Sequence, residues 1–81
     1  MGSLATFNTT YLTPGVLPLG TRESLAGAVK SVENQVAQGQ TVAGAVAIVN
    51  TKRTRRIVHR AQREQAGLPN LISDFYALDA A

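Results

Sequence analysis

The chain has 81 residues, a formal net charge of +3, a hydrophobic content of 44% and no cysteine or tryptophan. This length allows one small domain, and the missing cysteines exclude disulfide bonds and thiolate metal sites as sources of stability. Much of the hydrophobic content is Ala and Val, which bury little surface, so we expect the chain to be stabilised by packing on copies of itself or on a larger partner.

Neither a targeting signal nor a membrane span is evident. The N-terminus lacks the charged stretch and compact apolar core of a signal peptide. The longest apolar run, residues 42–49, is far shorter than the roughly 20 residues that cross a bilayer. We therefore expect an intracellular or virion protein that is not secreted by a signal peptide and has no transmembrane segment.

The first segment, residues 1–20, carries no charge. Pro14, Gly15, Pro18 and Gly20 disfavour helix. This composition predicts an extended arm that lies in the groove of a partner, with apolar side chains as anchors. The expected anchors are Phe7, Tyr11, Leu12, Val16 and Leu17. The alternative is a mobile end or a partly vector-derived leader.

A helix is predicted over residues 21–38. Thr21 is a suitable N-cap and Gly39 a suitable stop. One narrow apolar stripe follows helical spacing, formed by Leu25, Val29, Val32 and Val36.

The next segment repeats this one. Residues 24–32 align with residues 41–49 at an offset of 17, and both contain Ala-Gly-Ala-Val. Small residues let two backbones approach closely, so the repeat predicts a helical hairpin with Ala and Gly at the crossing and Thr41 as the second N-cap. Two alternatives remain open: chance similarity between Ala-rich helices, and a buried strand at 42–49, because several residues there are β-branched.

The apolar stripe of the second helix does not continue. Extended at helical spacing from Val49, it reaches Arg53, Ile57 and Arg60. Either the helix breaks near Asn50–Thr51, or it runs unbroken to residue 66 for about 37 Å. In both cases we expect the fold to end at this junction and an interaction surface to begin.

A short docking tail is predicted over residues 68–81. Gly67 and Pro69 end the preceding helix, and Asn70 can cap a helix from 71 to 78. So short a helix is unstable alone and must dock on the hairpin or on a partner. Its anchoring stripe is Ile72, Phe75 and Leu78. Residues 21–67 then form the hairpin, whose second half is basic.

Catalysis finds little support in the sequence. General acid and base chemistry needs paired titratable groups, whereas the five acidic residues are scattered and none lies beside His59. We expect a non-enzymatic protein with no catalytic residues, no metal site and no cofactor.

The basic run is the one dense chemical feature. Six of the eight basic residues lie within twelve positions that contain no acid: Lys52, Arg53, Arg55, Arg56, Arg60 and Arg63. On a helix, Lys52, Arg56, His59 and Arg63 form one ridge. Arginine suits bidentate contact with phosphate or carboxylate, so these residues are predicted to contact an anion or nucleic acid without sequence specificity. A solvated face, a face neutralised by acidic residues and an anionic membrane are the alternatives.

These patterns predict a mainly α protein: a small helical hairpin with an extended N-terminal arm and a short C-terminal helix. The predicted function is structural, that of an accessory subunit held on a larger assembly, such as a viral or phage particle, by its arm and tail. This comparison is an analogy of architecture. The alternative function is a small basic helical protein that binds nucleic acid through phosphate contacts.

Overall fold

A computed structural model describes residues 3–65, 67 and 70–79 of the chain. Within these residues the protein has five helices and no strand. The helices are α1 (Leu4–Tyr11), α2 (Leu19–Ala37), α3 (Val42–Val49), α4 (Lys52–Glu64) and α5 (Leu71–Tyr76). The predicted mainly α class is confirmed, and the alternative strand at 42–49 is wrong.

Helix α2 is the central element, and it packs against both α3 and α4. Its predicted apolar stripe is buried at Leu25, Val29 and Val32. The helix starts at Leu19, before the predicted cap, so Thr21 lies within the first turn. The Thr21 side chain is 1% exposed and donates a hydrogen bond to the Glu64 carboxylate of α4. The chain then reverses at Gly39, whose φ of 104° favours glycine.

Of the small residues predicted at the crossing of α2 and α3, one alanine of each helix is buried, whereas Gly27 and Ala43 are exposed. Ala28 and Ala45 are 5% and 0% exposed. By contrast, a Cβ atom on Gly27 would meet no atom within 4 Å. Thr41 caps α3 as predicted, because its hydroxyl accepts a hydrogen bond from the Gly44 amide at 3.0 Å.

The long second helix breaks at Asn50–Thr51, one of the two outcomes that the sequence left open. Thr51 caps α4 by accepting a hydrogen bond from the Thr54 amide at 3.2 Å. The break changes the buried face, which is formed by Thr54, Val58 and Ala61. Since Val58 and Ala61 are 0% exposed, the expectation that the fold ends at this junction is wrong.

The N-terminal segment is not an extended arm over Leu4–Tyr11, where it forms α1. Ser3 caps this helix by accepting a hydrogen bond from the Thr6 amide at 3.1 Å. Phe7 and Tyr11, one turn apart, bury their rings on the same face. The centroid of the Phe7 ring lies 5.8 Å from that of Phe75 in α5, so α1 packs within the chain.

The C-terminal helix docks on its own chain. Leu71 and Phe75 of α5 are both 0% exposed, and α5 contacts α1, α3 and α4. Asn70 stands at the predicted cap position, but its side chain makes no capping hydrogen bond. Helix α4 ends at Glu64, before Gly67. The predicted stop at Pro69 lies outside the described residues.

No helix in the described part of the chain is both long enough and apolar enough to cross a membrane.

Candidate functional site

The exposed face of α4 carries the predicted anion contacts. Successive residues of an α-helix are about 100° apart, so the face opposite Thr54, Val58 and Ala61 can be identified from the sequence. That face holds four residues, which we call the basic ridge: Lys52, Arg56, His59 and Arg63. All four are exposed. At 1.5 Å per residue, the ridge extends over about 17 Å.

The remaining three predicted contacts flank the ridge and are also exposed. Arg53 and Arg60 lie on the side of α2, where Arg60 Nε is 3.7 Å from Glu64 Oε1. Arg55 lies on the side of α5, and its Nη1 donates a hydrogen bond to the Asn50 carbonyl at 3.1 Å. The six basic residues named from the sequence are thus brought together on one helix.

Little within the chain neutralises this charge. Among residues 3–65, 67 and 70–79, the only ion pair is Arg60 with Glu64, and the two side chains are 59% and 32% exposed. Exposed pairs of this kind contribute little stability. Asp74, another acid that could neutralise the run, instead accepts a hydrogen bond from the Tyr11 hydroxyl at 2.5 Å. The ridge therefore faces solvent with its positive charge uncompensated by the described residues.

The arrangement of charge along α4 is unfavourable for the isolated helix. Lys52, Arg53 and Arg55 occupy the first turn, which contains no acid. The N-terminus of a helix carries partial positive charge, so each cation there costs about 0.3–1 kcal/mol. An anion at this end would offset the repulsion. At the other end, Arg63 in the last turn interacts favourably with the helix dipole.

The predicted partner contacts are placed differently from the prediction. Five of them belong to the chain's own core: Phe7, Tyr11, Leu17, Phe75 and Leu78. The other three, Leu12, Val16 and Ile72, are partly buried against that core. In this structure the arm and tail use these side chains to close the fold.

A groove that sequence reasoning missed lies between α2 and the α3–α4 junction. It is open to solvent and has a volume of about 700 Å³. Ile48, in the last turn of α3, lies on its wall and is 51% exposed. Ser24, Gly27 and Ser31 of α2 also line it. Their i, i+3, i+7 spacing was the available signal, since it marks a face of small residues on α2.

A second cavity, of about 240 Å³, lies between α1 and α5 beside Tyr11 and Asp74. Burial raises the pKa of Tyr11 to about 12, and the hydrogen bond and charge of Asp74 act in the same direction. The Tyr11 hydroxyl therefore stays protonated at neutral pH and serves as a link between the two terminal helices.

Comparison with known proteins supplies no relative: no protein-family model, curated protein or solved structure matches the chain. The functional proposal consequently rests on the geometry and charge of the α4 surface.

Proposed function

We propose that this protein is a small helical module that binds the phosphate backbone of nucleic acid through α4. The observation that carries the proposal is the basic ridge, an exposed row of basic side chains on a helix whose opposite face is buried. Proteins that neutralise phosphates with Lys and Arg release condensed counterions, and this supplies affinity without sequence information.

The dimensions of the ridge fit this role. Its length of about 17 Å equals the rise of about five base pairs at 3.4 Å per step. The basic side chains are long and mostly arginine, which forms bidentate hydrogen bonds with phosphate oxygens. The ridge and its flanks can therefore contact several phosphates at once.

The composition of the surface favours binding without base recognition. Non-specific binders of single strands use aromatic side chains on which bases stack. The exposed face of α4 has no Phe, Tyr or Trp, and His59 is its one ring. We therefore expect double-stranded nucleic acid, which displays a continuous phosphate backbone, to bind at least as well as single strands.

The buried face of α4 supports the proposal through preorganisation. Val58 and Ala61 are fully buried against the rest of the chain, so the helix is fixed before any ligand arrives. Binding then orders only side chains, which reduces its entropic cost.

The other predicted function, an accessory subunit held on an assembly by arm and tail, stays a prediction. Its expected anchors lie in or against the chain's own core, so this structure offers it no specific contact.

The test is the salt dependence of binding to a random-sequence DNA duplex, measured by fluorescence anisotropy. With three to six phosphates neutralised, log K against log salt should have a slope of about −3 to −5. Replacing both Arg56 and Arg63 with Gln should make this slope shallower by about 2 and weaken binding.

The matched control replaces Arg22 and Lys30 of α2 with Gln, which removes the same charge from outside α4. This variant should keep the slope of the wild-type chain within about 0.5. A slope near zero for the wild-type chain, or an equal loss in both double variants, would show that the ridge is not the binding surface.

A further inference from the structure

The groove between α2 and the α3–α4 junction is distinct from the basic ridge. None of the four ridge residues lines it, and of the basic run only Arg53, on the α2 flank, reaches its wall. A large apolar side chain, Ile48, is half exposed there, opposite the small residues of α2. The groove therefore presents both a projecting side chain and a shallow floor.

Gly27, on that floor, has no role that the chain itself explains. It lies inside α2, where glycine is less favourable than alanine, and its φ is not positive. An added Cβ atom would meet nothing within 4 Å, so packing within the chain does not require glycine. A glycine without a local reason, on the floor of an open groove, points to the close approach of a second backbone or side chain.

The charges of the groove favour one occupant. Its lining contains one acid and one base, Glu23 and Arg53, and neither forms an ion pair within the described residues. A polyanion gains little there, because Glu23 repels it. In a two-fold dimer, contacts occur reciprocally, so a contact between Glu23 of one copy and Arg53 of the other is made twice. A second copy of the chain thus allows two ion pairs between the copies, each joining a Glu23 to an Arg53.

We propose that this groove is the interface of a homodimer. Ile48 of each copy packs on the floor around Gly27 of the other, and two Glu23–Arg53 pairs flank the contact. A standard interface takes about 800 Å² from each partner. This is about a sixth of the 4779 Å² surface of the chain, and it adds buried apolar area to a small core. The basic ridge stays outside the contact.

The first test is sedimentation velocity of the full chain at concentrations up to about 100 µM. We expect a concentration-dependent shift from the 8.6 kDa monomer to a species of twice that mass. Glu23→Arg and Arg53→Glu should each raise the dimer dissociation constant by at least about tenfold, because each brings like charges together.

Mixing these two variants provides the sharper result. One copy then offers two positive side chains and the other two negative ones, so the mixture should form a heterodimer although neither variant dimerises alone. Glu33→Arg, a charge reversal on α2 at a residue that does not line the groove, should dimerise like the wild-type chain. A wild-type chain that stays monomeric over the whole range, or a mixture that does not associate, overturns the proposal.

The second test adds a methyl group to the floor. Gly27→Ala should raise the dissociation constant by at least about tenfold, while circular dichroism shows an unchanged helix content and a thermal midpoint no lower than the wild-type value in dilute solution. Gly20→Ala, also in α2 with no atom near an added Cβ, should not weaken the dimer. Dimerisation of Gly27→Ala with wild-type affinity overturns the packing that we propose.

Discussion

The Tyr11 hydroxyl, one polar atom among aromatic rings, ties the first helix to the last. Tyr11 is 2% exposed, its ring centroid is 4.8 Å from that of Phe7, and its hydroxyl donates to Asp74 Oδ2 at 2.5 Å. Deprotonation would bury a phenolate beside a carboxylate, which explains why the pKa of Tyr11 rises to about 12. The contact therefore depends on the phenol keeping its proton.

This link predicts how stability depends on alkaline pH. The pKa of Tyr11 is about 12 in the folded chain, against an ordinary value of 10.0. Its stabilisation is therefore complete below pH 10 and is lost as pH rises through 12. Tyr11→Phe should lower the unfolding free energy at neutral pH by about 1.5 kcal/mol. Above pH 10, the unfolding free energy of this variant should fall less steeply than that of the wild-type chain. Urea denaturation at a series of pH values measures both effects.

Tyr76→Phe is the matched control for this prediction. The Tyr76 hydroxyl donates to Asn50 Oδ1 at 3.2 Å in an exposed position, and burial raises the pKa of Tyr76 while Arg55 opposes the rise. Its replacement should cost about 0.5 kcal/mol and leave most of the alkaline decline in place. Parallel pH curves for the wild-type chain and Tyr11→Phe would contradict the assigned role of the Tyr11–Asp74 bond.

Among the helices, the break between α3 and α4 decides which side chains reach solvent. Thr51 begins α4 with a capping bond to the Thr54 amide. Thr51→Ala should lower the unfolding free energy by about 1 kcal/mol, because it leaves amides of the first turn without this acceptor. Thr51→Ser keeps the hydroxyl and should stay within a few tenths of a kcal/mol of the wild-type value. Urea denaturation followed by circular dichroism gives both numbers.

Equal stability of the Ala and Ser variants would assign the break to packing. Val58 and Ala61 would then fix the rotation of α4 by their burial alone. The two causes are separable in this way because Thr51 itself is exposed, while Val58 and Ala61 are unchanged in both variants.

Elements that depend on neighbouring residues could be predicted from the sequence. The stripe of α2, the turn at Gly39 and the cap at Thr41 all follow from local rules, and they are found in the structure. The ridge on α4 also follows from helical spacing, so its residues could be named and placed together. Whether the ridge binds phosphate stays a prediction.

Elements that depend on distant residues could not be predicted. Local composition, with Pro14 and Gly15 beyond it, disfavours a helix at 4–11. The helix forms because the Phe7 ring packs on the Phe75 ring and the Tyr11 hydroxyl donates a hydrogen bond to Asp74. Both partners lie in α5, far from α1 in the sequence. Tertiary packing then outweighs weak propensity. The same distant contacts explain why the predicted partner anchors are found in the core.

At the scale of the whole molecule, the two ends of the chain close one core around α2, α3 and α4. Phe7, Phe75 and Leu78 are all nearly inaccessible to solvent. A domain of this size has a free energy of unfolding of about 4–12 kcal/mol. Loss of the aromatic contact between α1 and α5 would therefore remove a large fraction of the net stability. An arm that docked on a partner would contribute nothing to the stability of the isolated chain.

Phe7→Ala distinguishes these two roles. We expect it to lower the unfolding free energy of the isolated chain by about 3–5 kcal/mol, because it leaves a cavity beside Phe75. Phe7→Leu, which keeps most of the volume, should lower it by less than about 1.5 kcal/mol and stay folded. Thr10→Ala, at an exposed position of α1, is the control and should change it by no more than about 0.5 kcal/mol.

The same variants separate stability from binding. The Phe7 side chain of α1 packs against α5, away from the exposed face of α4. Phe7→Leu should therefore bind duplex DNA with the same slope of log K against log salt as the wild-type chain. If Phe7→Ala left the unfolding free energy of the isolated chain unchanged, residues 4–11 would not belong to the core, and the arm hypothesis would return. If Phe7→Leu lost binding while folded, phosphate contact would depend on more of the molecule than α4.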